Sequence, residues 1–421
     1  MSQHVEVATP EKAPPPRRGV LTPWRIVSLG VAVFVALAGV RVITGQNALT
    51  DSGTIQATLA FAVPIGMAGL GGLWAERAGI INIGLEGMMV LGTWAGAFAA
   101  NSTGNPWAGL VAGIVGGVLG GLLHAVATVT FGVDHIVSGV AINILAVGAM
   151  RYLSILYFQP QPGGGAAQSP PLPGFPRIGL PFVADLLGPL EDRHWFLVSD
   201  VAGLIVGLTT EMSVVTLIAI LLVPATYYIL WRTPFGLRLR SCGESPEAAE
   251  SLGVSVYFYK YVAVLVSGGL AGLGGVFLAM VASSIYQEGQ TGGRGYIGLA
   301  AMIFGNWRPG GLAMGAGLFG FTDALQVRGS GAAVHALLLL IAAVLVAVAV
   351  WQFVRGKRVA ALVSLAVAAL LVVWWALTDT LPRELVTYSP HIATLLVMAL
   401  ATQRLRAPAA VGRSWRRGGG S

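Results

Sequence analysis

The chain has 421 residues, 55% of them hydrophobic and only 10% charged, with a mean hydropathy of +0.75 and a formal charge of +7. A soluble protein of this size carries about 25% charged residues, so a water-soluble domain is excluded. The basic residues are spread along loops, which argues against nucleic acid as a partner.

Residues 1–22, with Pro14-Pro15-Pro16 before Arg17 and Arg18, are too poor in apolar residues for a secretory signal and read as a disordered cytoplasmic tail. A hydrocarbon core of roughly 30 Å takes about 20 apolar residues to cross. Spans are expected at 24–44, 55–74, 79–100, 107–130, 135–158, 212–231, 259–282, 294–307, 309–327, 332–354, 359–378 and 387–403. The fold class is therefore all-α, a polytopic transmembrane helical bundle of about 10–12 spans filling 23–403. Two stretches have a second reading: 294–307 is short enough to be re-entrant, and 196–210 is apolar enough to dip into the membrane. With the N-terminus inside, all Lys and Arg except Arg41, Arg151, Arg177, Arg193, Arg294, Arg328 and Arg383 fall on cytoplasmic segments. That leaves 159–211 as an external loop, irregular because of its prolines, 232–258 as a cytoplasmic loop and 404–421 as a basic cytoplasmic tail.

The first polar motif is Glu76-Arg77-Ala-Gly-Ile-Ile-Asn82-Ile-Gly-Leu-Glu86-Gly87. Asn82 and Glu86 are four apart and are expected on one helix face. A carboxylate inside a span is costly, so Glu86 either bonds to Asn82 or a neighbouring helix, or lines the pathway or its gate. Asp134 opens the next span, where an anion is favourable at the helix start. Asn143, deeper, is placed to reach across helices. Glycines around Glu288, Gly292, Gly293 and Arg294 allow an irregular entrance. Glu288 and Arg294 either pair with each other at the external end or contact whatever delivers the substrate. Asn306 follows as a further pathway candidate.

Within 232–258, Ser245-Pro246-Glu247-Ala248-Ala249-Glu250 reads as a capped helix start, and Gly253 supplies a stop. A short helix held at a membrane surface is a docking handle. Stripes such as Gly113, Gly117, Gly121 and Gly268, Gly272 have the small-residue spacing of tightly packed spans. The only lysines, 12, 260 and 357, follow no phosphate-loop glycines, so ATP has no usual site here. The six histidines form no evident cluster, and no metal site is expected. The lone Cys242 excludes an internal disulfide, and its thiol is expected to react from the cytoplasmic side.

The Glu76–Met89 motif resembles the second-span signature of permease subunits of ATP-binding-cassette importers for branched-chain amino acids, simple sugars and nucleosides, and more narrowly the nucleoside branch. Asp134-His135-Ile-Val-Ser-Gly, Phe235–Glu250, Gly293–Trp307 and Arg406-Ala-Pro-Ala-Ala-Val-Gly match in order. The resemblance implies a type II importer-like permease that is a transport subunit, not an enzyme, importing a small neutral polar solute, most simply a nucleoside. It implies that Arg238, Arg240, Gly243, Glu244, Pro246, Glu247, Ala248, Ala249, Glu250 and Gly253 couple to a separate ATPase that carries ATP and Mg, with no cofactor in this chain. It also implies a second, paralogous permease, an extracytoplasmic binding protein or lipoprotein, and a prokaryotic plasma membrane with both termini cytoplasmic. A simple-sugar or amino-acid permease is the alternative, and an ion-coupled carrier a more distant one. Two features depart from the pattern: the span at 24–44, and a helical hairpin inserted at 333–380.

Overall fold

The computed structural model describes residues 23–389 and 405–416. Among the described residues its regular elements are helices apart from one antiparallel pair of two-residue strands, Arg177–Ile178 against Met212–Ser213. The helices are α1 (Pro23–Thr44), α2 (Ser52–Arg77), α3 (Leu85–Thr103), α4 (Pro106–Ala125), α5 (His135–Tyr157), α6 (Pro181–Glu191), α7 (Val198–Thr209), α8 (Val214–Arg232), α9 (Pro234–Glu244), α10 (Pro246–Ser251), α11 (Val256–Val276), α12 (Arg294–Phe304), α13 (Pro309–Arg328), α14 (Ser330–Val354), α15 (Arg358–Leu377) and α16 (Arg383–Thr387). Seven of these, among the described residues, are long and apolar enough to cross a membrane.

Many starts are written locally. Asp51 accepts the Thr54 N–H at 2.6 Å, Asn105 accepts that of Trp107 beside Pro106, and Asp134 accepts those of Ile136 and Val137 at 2.9 and 3.0 Å. Pro234 and Pro246 each occupy a first helical turn, where the missing N–H costs nothing.

The buried α2 is the axis, flanked by α11, α12 and α13, with α3 and α4 completing the layer. Backbones touch where α4 meets α11: a Cβ on Gly117 would lie 2.1 Å from the Gly268 carbonyl, and one on Gly272 2.4 Å from that of Gly113. No larger residue fits there.

Several expectations are revised. The span read at 79–100 starts only at Leu85, because Gly79 (φ +90°) breaks α2 and residues 80–84 run without helix. At 11 residues, α12 is about 16 Å long and too short to cross a membrane as a helix, so 294–307 is not the full span expected. The 12-residue α7 does not cross either. It packs with α6 over the N-terminal part of α2, so the segment 159–211 has regular structure after its proline-rich first half. The stretch after Arg232 is likewise helical, as α9. The span expected at 387–403 lies almost wholly outside the described residues.

The α6–α7 cap is tied to α1 by an ion pair. Arg41 places Nε 2.6 Å from Asp200 Oδ1 and Nη2 3.2 Å from Oδ2, both side chains are buried, and Thr50 donates to the same carboxylate. Glu191 of α6 accepts the Ser52 N–H at 2.7 Å. The hairpin of α14 and α15 leans on α1 and α13 through α14, with Val334, Ala336 and Leu325 beside Leu37 and Val40.

Candidate functional site

The non-helical residues 80–84 thread between helices, and unpaired backbone there would be costly. Side chains from three helices satisfy it. Ile81 N–H donates to His135 Nδ1 at 3.3 Å, while His124 Nε2 lies 2.9 Å from the Ile81 carbonyl. A carbonyl only accepts, so His124 carries a proton on Nε2, and its Nδ1 meets the Ser138 hydroxyl at 2.9 Å. Two of the six histidines therefore do converge, on backbone. No group of metal-binding side chains occurs among the described residues.

Asn82 is fully buried and donates to Ser267 Oγ of α11 at 2.9 Å, while its Oδ1 has no partner. It precedes α3, so it does not share a helix face with Glu86. Glu86 turns instead to α12: Oε1 accepts the Gly293 N–H at 2.8 Å and Oε2 the Gly295 N–H at 2.7 Å. A carboxylate thus caps the positive end of a half-length helix. The approach is close enough that a Cβ on Gly295 would sit 2.6 Å from the Glu86 nitrogen, and Gly293 adopts φ +80°. Asn143 completes the junction. Its Oδ1 accepts the Gly87 N–H at 2.7 Å, and its Nδ2 donates to the Ile83 carbonyl at 3.1 Å and to Tyr296 Oη at 2.7 Å.

Glu288 and Arg294 do not pair. Glu288 meets Arg151 at 3.4 Å, whereas Arg294 is drawn between α2 and α13, 3.8 Å from Asp323 and over the Phe61 ring. Asn306 is not near Glu86 either. It lies at the other end of α12, in a turn where Asn306 and Trp307 hold φ of 53° and 52°, unusual for a tryptophan.

That turn belongs to a second assembly around the polar loop. Arg77 donates to the Trp307 carbonyl through Nε at 3.2 Å and Nη2 at 2.7 Å, and Trp307 Nε1 donates to Glu76. Gly243 of α9 lies against the end of α2, where a Cβ would come 2.3 Å from the Arg77 carbonyl. Glu244 reaches Arg77 at 4.0 Å. Arg240 is turned inward, donating to the Leu230 carbonyl at 2.9 Å and covering Trp231. Pro246 and Ala249 are buried against this base, while Arg238, Glu247 and Ala248 are exposed. Glu250 is half-buried, and Gly253 (φ +79°) ends the helix beside Leu252, which is 83% exposed. Cys242 is fully buried, and burial pushes its thiol up to about 11. The surface reactivity expected of it is therefore not what the fold provides.

His124 and Ser267 carried no sequence signal beyond a polar residue in an apolar helix, and Ser138, Tyr296 and Trp307 lay inside matched motifs that assigned them no role. Only the fold brings them together.

The sequence matches the family described as branched-chain amino acid transport system / permease component over residues 54–349. It is 37% identical to the guanosine ABC transporter permease NupQ of Bacillus subtilis, over 66% of this chain and 82% of that one. It is 34% identical to the nucleoside ABC transporter permease NupC of Lactococcus lactis, over 64% and 81%. Similarity extends at 26% to the glucose ABC transporter permease TsgB13 of Haloferax volcanii, over 68% and 73%. No solved structure matches with significance. With an exposed helical handle seated on the end of its central helix, and a family match over more than half its length, this chain belongs to the branched-chain amino acid transport system permease family and is an ABC transporter permease subunit, a transport component and not an enzyme.

Proposed function

We propose that the chain is one of two paralogous membrane subunits of an ATP-driven importer of nucleosides in a prokaryotic plasma membrane, with its N-terminus cytoplasmic. The observation that carries the reading is α9–α10. A short helix with exposed Glu247, Ala248 and Leu252 is anchored by Gly243 and Glu244 on the end of α2, so force applied to it reaches the axis of the bundle. The partner that presses there is an ATPase holding ATP and Mg, and an extracytoplasmic binding protein delivers the solute on the opposite face, near Glu288. The neutral groups at the α3–α5–α12 junction, Asn82, Asn143 and Tyr296, suit a polar uncharged solute, with Glu86 holding α12 in place as part of the gate. The guanosine and nucleoside permeases among its relatives support that substrate class.

The test is recovery of the ATPase with the solubilised subunit, together with radiolabelled nucleoside uptake into vesicles. Glu247→Lys with Glu250→Lys is expected to abolish both recovery and uptake while leaving thermal unfolding unchanged. ATP-driven uptake at the wild-type rate in that variant overturns the docking assignment. Uptake of glucose in place of nucleosides, in keeping with the haloarchaeal relative, moves the substrate to sugars.

A further inference from the structure

The described C-terminal residues 405–416 contain no helix, yet they are fastened along the same face as α9–α10. The Arg406 N–H donates to Asn306 Oδ1 at 2.8 Å, on the turn after α12. Ala409 N–H donates to Glu244 Oε2 at 3.2 Å, and Ala410 N–H to the Gly243 carbonyl at 2.9 Å. Gly412, at φ +80°, donates to the Gly79 carbonyl at 3.1 Å, and a Cβ there would strike Ile81. Beyond it, Trp415 is buried against the Tyr257 ring with the Lys260 ammonium over its face, and Arg416 donates to the Phe131 carbonyl at 3.0 Å.

One extended segment thus bridges the turn after α12, the handle, the non-helical link that carries Asn82, and the starts of α5 and α11. Its polar contacts go mainly to backbone groups that helix ends leave without partners. Pro408, Ala410 and Trp415 are buried as anchors, while Arg406 and Arg413 are exposed. A free tail would not order 12 residues against so many separate elements without being part of how they are held.

We propose that residues 405–416 are a strap that positions the α9–α10 handle for the ATPase. The proposal rests on the reading of α9–α10 as the ATPase dock. Because the strap joins Gly243 to Gly79, it also makes handle and link move as one body: displacement of the handle pulls on the segment that leads to Asn82 and Glu86.

The full chain, co-expressed with its ATPase and second permease, is compared with Ala410→Pro, which deletes the N–H given to Gly243, and with Trp415→Ala and Trp415→Phe. Three quantities are read: thermal unfolding of the subunit, ATPase recovered with it, and ATP hydrolysed per solute imported. Ala410→Pro and Trp415→Ala are expected to lower ATPase recovery, or raise ATP consumed per solute, by roughly tenfold, as for the loss of one buried contact, at unchanged unfolding temperature. Trp415→Phe, which keeps the ring, is expected to restore coupling. Wild-type recovery and coupling in both disruptive variants overturns the strap. So does a loss that only follows a lowered unfolding temperature, because that is structural support alone. The Glu247→Lys, Glu250→Lys subunit is measured in parallel. If it keeps its ATPase while the strap variants lose theirs, the handle reading fails and the strap itself is the dock. If it loses the ATPase and the strap variants do not, only the strap fails.

Discussion

The bundle of α2, α3, α4 and α11 and the hairpin of α14 and α15 are both strongly apolar, yet they are held in different ways. In the bundle, glycines let backbones meet, as at Gly117 and Gly268, and buried polar groups bridge the helices, as Asn82 does to Ser267. The hairpin is built from Leu, Val and Ala, and α15 leaves Leu362, Leu370 and Val373 more than half exposed. Without a hydrophobic drive between helices in lipid, close packing and hydrogen bonds must supply the association. Hydrophobicity alone therefore does not separate the closely packed centre of the molecule from the hairpin at its side. Glycine spacing and buried amides do.

The comparison can be broken most severely at the charge that sits between the two regions. Arg41→Met leaves Asp200 buried without its partner and is expected to cost about 3–5 kcal/mol, read as a fall in unfolding temperature in detergent, with Asp200→Leu in the same chain recovering most of it. Glu86→Gln keeps the shape of the cap on α12 but turns an amide toward one of two N–H donors. Losing that charge-assisted bond is expected to cost about 1.5–3 kcal/mol and to slow vesicle uptake. Gly272→Ala pushes a methyl against the Gly113 carbonyl and should cost about 1–3 kcal/mol as overpacking, seen in the same melt. Leu370→Ala in the hairpin is expected to change stability by no more than about 0.5 kcal/mol. An effect there as large as at Gly272 would mean that α15 has a protein neighbour and not only lipid.

Much of the architecture was legible because punctuation is local: Asp134 caps α5, Pro234 and Pro246 start helices, and Gly253 ends one. The hairpin and the half-length α12 followed from counting apolar residues. The site was less legible. A four-residue spacing implies a shared face only if the helix runs through both positions, and Gly79 ends α2 before Asn82 is reached. Glu86 and Gly293 lie far apart in sequence, and nothing near either one announces that a carboxylate would meet two amides. Proline density hid α6, since Pro181 opens a helix where it was read as preventing one. Cys242 lies in a polar stretch that becomes a helix with a buried side, which sequence polarity alone does not reveal.

The pairing of Arg41 with Asp200 has a consequence for exchange of parts between permeases. The family match begins at residue 54, beyond α1, while the α6–α7 cap lies inside it. A chimera that carries the cap without α1 would install a lone carboxylate in an apolar seat, and one that carries α1 without the cap would strand a guanidinium. The two segments, 159 residues apart at their paired charges, form a single cassette, and the α6–α7 cap is interchangeable only together with the helix that precedes the family's own boundary.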